Sequence, residues 1–328
     1  MSNKTSVEAF FSQAERDKYS DLIFELLMRA AHSRRPDTTR PLGLYHYTTM
    51  ENLPAIVASG TLWATHISTM NDASEVLHPV KLVRRAIKQR LGATTNVDAQ
   101  ALLRAMDTEC KAIKDVILSG IMVICFSERR NDLSQWRAYG GALGGAAIKF
   151  DGATIGSQQN GMTLLPVIYS PKLKREIMEA YVVGAEKLFL ERLASLRKTD
   201  AAIDVSTMAK QLCEMALEVG ALAAPIFKHC KFHHEREWRL VLRLSDADIK
   251  RLEFVPRATM MSVHLPMRFG VGKDDDGKPM LPIQAVVVGP TAHPKLHMMV
   301  ASEILRKKGY NLSKHKVTSA KIPFRPAR

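Results

Sequence analysis

The sequence predicts an α+β fold, in which short strands are scattered among helices and do not alternate regularly with them. The chain has 328 residues, of which 46% are hydrophobic, so it can bury a large core. Ile121 to Phe126 is an apolar run of strand length, whereas 171–197 is a long segment with charged residues at helical spacing. Because the predicted strands and helices do not alternate regularly along the whole chain, an α+β fold fits better than a regularly alternating α/β fold.

The N-terminal segment, residues 1–41, is predicted to form a helix and a linker outside the main domain. Apolar residues recur at helical spacing from residue 7 to residue 32, among many charged residues. A polar stretch follows from 33 to 40. The sequence therefore predicts a single α+β domain over 42–328.

A strand, a helix and a second strand are predicted at the start of this domain. Leu44-Tyr45-His46-Tyr47 has strand character, Thr48 or Thr49 can cap a helix to Ala58, and Gly60 can end that helix before a strand over 61–64. Asp72 followed by Glu75 has the spacing of a capping box and predicts the start of the next helix.

The remaining elements are predicted from hydrophobic periodicity and from Gly and Pro positions. Helices are expected at about 72–91, 98–117, 133–139, 171–197, 206–227 and 294–308, and strands at 121–126, 146–150, 163–169, 238–244, 260–265 and 283–289. We interpret the two helices within 171–227 as an insertion into the domain.

The composition indicates a strongly basic protein. Lys and Arg number 47 against 33 Asp and Glu, which gives a net charge of +14. Nine basic residues and one acidic residue lie between 290 and 328. Such an excess attracts nucleic acids, nucleotides and acidic partners without identifying one of them. A solvated helix face is the alternative interpretation of the basic C-terminal segment.

The cysteines and the hydropathy pattern predict where the protein resides. The four cysteines include no CxxC pair, and no N-terminal signal segment is recognisable. No stretch approaches the roughly 18 to 20 apolar residues that span a bilayer. We therefore expect reduced thiols, no membrane association and a cytoplasmic location.

Three short motifs with polar side chains form the candidate site. They are Tyr45-His46-Tyr47, Cys125-Phe126-Ser127 and Glu235-Arg236-Glu237, and we expect them to converge. Alternation along the first strand places His46 on the opposite face from the two tyrosines. A histidine in an otherwise apolar strand is also typical of a hydrogen-bonded core residue, so that interpretation stays open.

Other kinds of site have weaker support in the sequence. The glycines within 140–145 precede a strand and do not link a strand to a helix, which excludes a P-loop or Rossmann site. His229, Cys230, His233, His234 and Glu235 crowd one segment, but their spacing matches no zinc motif. A metal site and a cysteine nucleophile at Cys230 remain alternatives.

A longer string of features extends from about residue 42 to 325. It comprises Tyr45-His46-Tyr47, Met70-Asn71-Asp72 with Glu75, Cys125-Phe126-Ser127-Glu128, Trp136 with Tyr139, Phe150-Asp151, Glu235 to Val241, Val288-Gly289-Pro290, and Ser319 to Arg325. With this string the sequence resembles an uncharacterised bacterial family, DUF family 2971. The opening from Leu44 to Ala64 is also similar to the ADP-ribosyltransferase fold of DarT-type toxins. This resemblance implies a split mixed or antiparallel sheet with peripheral helices.

The resemblance also implies a site that binds NAD and transfers ADP-ribose. Glu237 would stabilise the ribosyl cation that forms as nicotinamide leaves, and Glu235 would orient the acceptor. The residues implied in NAD binding are His46, Tyr47, Thr48, Ser127, Trp136 and Tyr139. The histidine would bind the adenosine ribose with help from Tyr47 or Thr48, and Ser127 would hold the nicotinamide with Tyr139 or Trp136. Asn71, Asp72, Glu75 and Arg325 are secondary candidates.

These expectations lead to two main hypotheses about function. The first is an NAD-dependent, ADP-ribosyltransferase-like enzyme that modifies a protein or nucleic-acid acceptor, in phage defence or as an intracellular effector. The second is a non-catalytic module of the same fold that binds a nucleotide or nucleic acid through the basic end of the chain. A metal-dependent hydrolase at the histidine cluster is a third hypothesis.

Overall fold

The structure, a computed structural model, describes most of the chain as two compact units. The described residues are 10–34, 42–70, 74–141, 143–157, 161–199, 202–257, 260–269, 272–274, 277–278 and 280–322. One unit combines the described parts of 1–34, 71–120 and 168–230, and the other those of 35–70, 121–167 and 231–328. We call them the helical unit and the sheet unit. The predicted boundary of a single domain at residue 42 stays a prediction.

The helices and strands of the described residues are numbered in chain order. The helices are α1 (Gln13–Arg34), α2 (Leu53–Ser59), α3 (Ser74–Ala93), α4 (Val97–Gly120), α5 (Leu133–Tyr139), α6 (Gly152–Gly156), α7 (Pro171–Leu196), α8 (Val205–Ala223), α9 (Asp246–Ile249) and α10 (Pro294–Lys307). The strands are β1 (Gly43–Thr49), β2 (Thr61–His66), β3 (Ile121–Ser127), β4 (Gly145–Asp151), β5 (Met162–Pro166), β6 (Glu237–Arg243), β7 (Glu253–Pro256), β8 (Met261–Arg268), β9 (Ile283–Val288) and β10 (Lys316–Ser319).

The helical unit consists of α1, α3, α4, α7 and α8. The rings of Tyr19 and Tyr181 join α1 to α7 with centroids 5.9 Å apart, and the Tyr19 hydroxyl donates to the Tyr181 carbonyl at 3.0 Å. Arg90 of α3 forms an ion pair with the buried Glu186 of α7. The two predicted helices within 171–227 therefore pack in one unit with the N-terminal helix. None of the described helices is long and apolar enough to cross a membrane.

The sheet unit contains one ten-stranded sheet built from the described strands. Its strand order is β10-β9-β4-β1-β3-β2-β8-β7, and β6 pairs with β3 and β5. The pair of β10 with β9 is parallel, and the other pairs are antiparallel. The prediction of an α+β fold with a mixed, mostly antiparallel sheet is confirmed.

Strand β3 lies at the centre of this sheet because it pairs with three neighbours. β6 pairs with it along its whole length. On the other edge, β2 pairs with Met122 and Val123 near its start, whereas β1 pairs with Ser127 at its end. β1 and β2 therefore diverge along one edge of β3, and the sheet splits between them.

Several elements differ from the sequence-based expectations. β10, β7 and the short helices α6 and α9 were not predicted, because each has few residues and little hydrophobic periodicity. The predicted strand over 163–169 ends at Pro166, after which Ile168 forms an isolated bridge to Phe227 within the helical unit. Residues 7–9, Asn71, Asp72 and Arg325 lie outside the described residues, as does the side chain of Glu75.

Candidate functional site

The three motifs of the candidate site lie on adjacent strands. Tyr45 of β1 is opposite Ser127 of β3, and Ser127 is opposite Glu237 of β6. Residues directly opposite one another in a sheet point to the same face. Tyr45, Ser127 and Glu237 therefore share one face of the sheet, which we call the tyrosine face.

His46 points to the other face of the sheet, which we call the histidine face. Side chains alternate along a strand, so His46 and Thr48 point away from the face of Tyr45 and Tyr47. The contacts agree with this, because the His46 ring lies 5.9 Å from that of Phe126, whose strand partner is Trp238. The structure thus brings the motifs together but places the imidazole and the Glu237 carboxylate on opposite faces.

The Glu237 carboxylate is buried in an ion pair with Arg239. Arg239 Nε donates to Glu237 Oε1 at 2.8 Å, and its Nη2 donates to Oε2 at 3.1 Å. Glu237 is 5% exposed and Arg239 is fully buried. The two residues are two positions apart on β6, so their side chains lie on the same face of the sheet. A bidentate pair of this kind satisfies both oxygens and fixes their orientation. The pair therefore neutralises both charges within β6 itself.

Ser127 ties the end of β3 to the start of β6. Its hydroxyl donates to the Glu235 carbonyl at 2.6 Å and accepts from the Arg129 amide at 2.9 Å. Ser127 is 2% exposed. The hydroxyl therefore both donates and accepts a hydrogen bond within the protein. The side chain of Glu235, at the same junction, is half-buried.

Arg236, between the two glutamates, has an unusual backbone conformation. Its φ is 45°, which lies in the left-handed region that residues other than glycine rarely adopt. Glu128 fixes it there, accepting from Arg236 Nε at 2.8 Å and from Trp238 Nε1 at 2.7 Å. The Glu128 amide also donates to the Arg236 carbonyl at 3.1 Å. The strained residue is thus held by an acidic side chain at the end of β3.

His46 lies at the split of the sheet, where it bonds to the backbone of β3. Its Nδ1 is 3.0 Å from the Cys125 carbonyl oxygen, and because a carbonyl only accepts, Nδ1 carries the proton. Burial lowers the pKa of His46, and this hydrogen bond opposes the lowering. The neutral ring therefore leaves Nε2 as a hydrogen-bond acceptor.

Tyr47 and Trp136 form a rigid cluster on the tyrosine face. Their rings meet edge to face with centroids 4.6 Å apart, and Trp136 Nε1 donates to Asn131 at 2.8 Å. The Tyr47 hydroxyl donates to the Arg129 carbonyl at 2.6 Å. Both rings are buried, whereas Tyr139 is 38% exposed. Of the two aromatic residues proposed to contact nicotinamide, one is therefore a core residue and the other lies at the surface.

An open depression beside α5 contains side chains that sequence reasoning did not bring together. Its lining includes Ser134 and His234, and His234 Nε2 is 3.2 Å from Ser134 Oγ. His234 Nδ1 faces the Lys231 carbonyl at 3.2 Å, which orients the ring. The hydroxyl has a single proton, however, and it also contacts Asp132, the N-cap of α5. This competition makes the pair a poor nucleophile and base.

The row that contains Tyr45 and Glu237 continues to the far edge of the sheet. The strand partners follow in the order Glu237, Ser127, Tyr45, Lys149, Ala285 and Lys316. We call these six residues the cross-strand row. Lys316 is exposed and Lys149 and Tyr45 are half-buried, in contrast to Glu237. This row could not be predicted from the sequence, because it depends on pairings between strands that are distant in the chain.

The histidine and cysteine cluster around residue 230 does not have the geometry of a metal site in the described residues. Among them, no group of three His, Cys, Asp or Glu side chains is arranged to hold a metal ion. His229, Cys230, His233 and His234 are exposed residues at a short 3₁₀ helix, Cys230–Glu235, and its approach. The geometry therefore gives no support to the hydrolase hypothesis.

Part of the chain matches the model of a family of unknown function. Residues 135–240 match the model of a family described as "Protein of unknown function (DUF2971)". This stretch contains Trp136 and Tyr139 and reaches β6 as far as Leu240, and it supports the resemblance to that family. No curated protein and no solved structure matches the chain. The similarity to ADP-ribosyltransferases stays a prediction.

Proposed function

We propose that this protein binds a nucleotide or nucleic acid, and that Glu237 stabilises its fold without a catalytic role. The observation that most directly supports a structural role for Glu237 is its buried ion pair with Arg239. A carboxylate that stabilises a ribosyl cation must face the ligand, and Glu237 instead has both oxygens bonded by Arg239. His46, the other main residue expected to bind NAD, points to the opposite face of the sheet.

The charge of the protein supports a polyanionic ligand. The net charge is +14, and the excess of basic residues near the C-terminus includes Lys316 of β10. Lys and Arg side chains that neutralise phosphates release bound counterions, which favours binding and makes it dependent on salt. Binding of this kind needs no catalytic carboxylate.

Fluorescence anisotropy with a labelled single-stranded oligonucleotide of about twelve nucleotides tests the proposal. We expect binding at about 50 mM salt that weakens at least tenfold by about 200 mM. Unlabelled NAD, added as a competitor, shows whether this dinucleotide occupies the same site. An anisotropy that stays constant up to about 100 μM protein at low salt, together with no binding of labelled NAD under the same conditions, would overturn the proposal.

An ADP-ribosyltransferase-like enzyme, with a place in phage defence, is the second candidate function. The observation that favours it is the split of the sheet at His46, because the resemblance implies a split sheet with a histidine on its first strand. On the histidine face, the carboxylate that follows β3 is Glu128, bonded to Arg236 and Trp238. Catalysis on this face would use Glu128, whereas the sequence motif assigns Glu237.

Incubation with labelled NAD separates the two candidates. Catalysis predicts release of nicotinamide and a labelled acceptor, and the variants Glu237→Gln and Glu128→Gln show which carboxylate is needed. The variant Glu237→Asp, which keeps the charge beside Arg239, controls for loss of folding. Equal, background-level release by wild type and all variants would remove the enzymatic candidate.

A further inference from the structure

Four of the six residues of the cross-strand row are accessible to solvent. Lys316 is exposed, and Ala285, Lys149 and Tyr45 are half-buried. These four residues lie on four neighbouring strands, β10, β9, β4 and β1, and face the same side. Neighbouring strands are about 4.8 Å apart, so this accessible part of the row is about 14 Å wide. It forms a continuous surface with two lysines and one aromatic ring.

Arg130 and Thr318 extend this surface beside the row. Arg130 is exposed, and its Nη2 donates to Thr318 Oγ1 at 2.9 Å. Burial raises the pKa of Tyr45, and the positive charge of Arg130 opposes that rise. Three cationic side chains therefore surround Tyr45 and its neighbours.

The Tyr45 ring is supported by a buried cluster beside it on the same face of the sheet. It packs against the buried cluster of Tyr47, Trp136, Ala147 and Val287. An aromatic ring that is braced on one side and half-exposed on the other loses little side-chain entropy when a ligand stacks on it. Tyr45 thus has the form of a preorganised stacking platform.

The sequence leaves room for Lys149 beside this platform. Gly43 has no side chain, and a Cβ placed on it would lie 3.0 Å from Lys149 Cε. The lysine stem can therefore lie along β1. Asp151, the strand partner of Gly43, is occupied as the N-cap of α6 and accepts from the amide and hydroxyl of Thr154, both at 2.9 Å.

We propose that this surface binds single-stranded nucleic acid, with a base stacked on Tyr45 and phosphates bound by Lys149, Lys316 and Arg130. The proposal rests on the proposed function and assigns its site and its ligand class. Charge complementarity selects a polyanion, and the aromatic platform selects a strand whose bases are unpaired, since bases in a duplex are already stacked. A surface four strands wide is comparable with sheets that stack two or three bases.

The phosphate contacts set the expected dependence on salt. For single strands, log K falls against log salt with a slope of about −0.7 for each phosphate that is neutralised. Three cationic side chains therefore predict a contribution of about −2 to the slope, and each substitution by glutamine removes about 0.7 of it.

The experiment compares variants of the full-length protein by fluorescence anisotropy, with single-stranded and duplex oligonucleotides of equal length. Lys149→Gln and Lys316→Gln are expected to weaken binding several-fold and to reduce the slope, and Tyr45→Ala to weaken single-strand binding about tenfold. Tyr45→Phe keeps the ring and is expected to bind like wild type. Lys250→Gln removes an exposed charge beside β7, at the opposite end of the strand order, and is the matched control.

The outcomes separate this inference from the proposed function. If wild type binds neither an oligonucleotide nor NAD, the proposed function itself fails, and if it binds NAD alone, this inference fails. If wild type binds but the row variants match it, or Lys250→Gln weakens binding equally, the site is wrong. If Tyr45→Ala loses duplex and single-strand binding alike, or Tyr45→Phe behaves like Tyr45→Ala, stacking on an unpaired base is wrong.

Discussion

Charged side chains are buried and paired at one end of the cross-strand row and exposed at the other. At the β6 end, Glu237 is 5% exposed and bonded by the fully buried Arg239. At the β10 end, Lys316 is exposed and Lys149 half-buried, and among the described residues neither is paired with a carboxylate. One end is thus neutralised within the protein, and the other keeps its charge for an external partner.

This difference separates a structural role from a binding role. Removing charges from water is costly, and the cost is offset only when both partners are well bonded, as in the Glu237–Arg239 pair. A lysine at the surface keeps its hydration until a ligand replaces it, and it can bind phosphate at little cost. The glutamate that the sequence motif emphasised lies at the end where a ligand is least able to reach it.

The largest expected effect is at the buried end. Replacing Arg239 with methionine removes the guanidinium that bonds both oxygens of the buried Glu237 carboxylate, and we expect a loss of about 3–5 kcal/mol of unfolding free energy. Urea unfolding measures it. A loss below about 1 kcal/mol, the value of an exposed pair, would show that the two ends do not differ.

The second prediction concerns Gly289, which lies against the ring of Trp136 in the cluster that supports Tyr45. A Cβ on Gly289 would lie 2.8 Å from Trp136 Cε3 and 3.1 Å from the Gly145 carbonyl oxygen. We expect Gly289→Ala to lower the unfolding free energy by about 1–3 kcal/mol through overpacking. Gly92→Ala, where nothing lies within 4 Å, is the control and should be neutral or slightly stabilising in a thermal melt.

The third prediction concerns His264, a buried histidine that has a hydrogen-bond partner at only one of its two ring nitrogens among the described residues. Its Nδ1 is 3.2 Å from Thr65 Oγ1, and its buried Nε2 has no partner among the described residues. Burial, with the nearby charge of Arg257, lowers the pKa of His264 to about 4. The folded state therefore favours the neutral ring, and stability is present above about pH 6.5 and is lost as the pH falls towards 4.

The corresponding measurement is urea unfolding at pH 7 and pH 5. We expect wild type to lose about 1 kcal/mol more than the His264→Asn variant between these two values. Parallel losses in the two proteins would show that the imidazole stays protonated or solvated in the fold.

The smallest expected effect is at the exposed end. Gly43→Ala places a methyl group against Lys149 Cε and displaces the lysine stem without adding or removing charge. We expect single-strand affinity to fall about two- to fivefold, with little change in the melting temperature, since the lysine is flexible. Unchanged affinity would show that the position of Lys149 along β1 is unimportant.

Much of the fold could be predicted because the relevant signals are local. The apolar run at Ile121 and the capping signals placed β3 and most helices within a few residues of their observed ends. β10 was missed because Lys316–Ser319 is a short edge strand whose partner, β9, lies far away along the chain. Edge strands of four residues have too little periodicity to be recognised.

The candidate site was predictable only in part. Alternation correctly places His46 opposite the tyrosines, but the face that Glu237 shares depends on the register of β1 with β3 and of β3 with β6. Registers between distant strands are set by tertiary packing. The spacing of Glu237 and Arg239 on one strand was visible in the sequence, and it was the signal that could have indicated an internal ion pair.

The most direct test of the account is a side-by-side measurement of single-strand affinity for the Glu237→Asp and Lys149→Gln variants at one salt concentration. We predict that Glu237→Asp, once shown to be folded, binds within about twofold of wild type, and that Lys149→Gln binds several-fold more weakly. The opposite order, with affinity dependent on residue 237 and insensitive to residue 149, would contradict it.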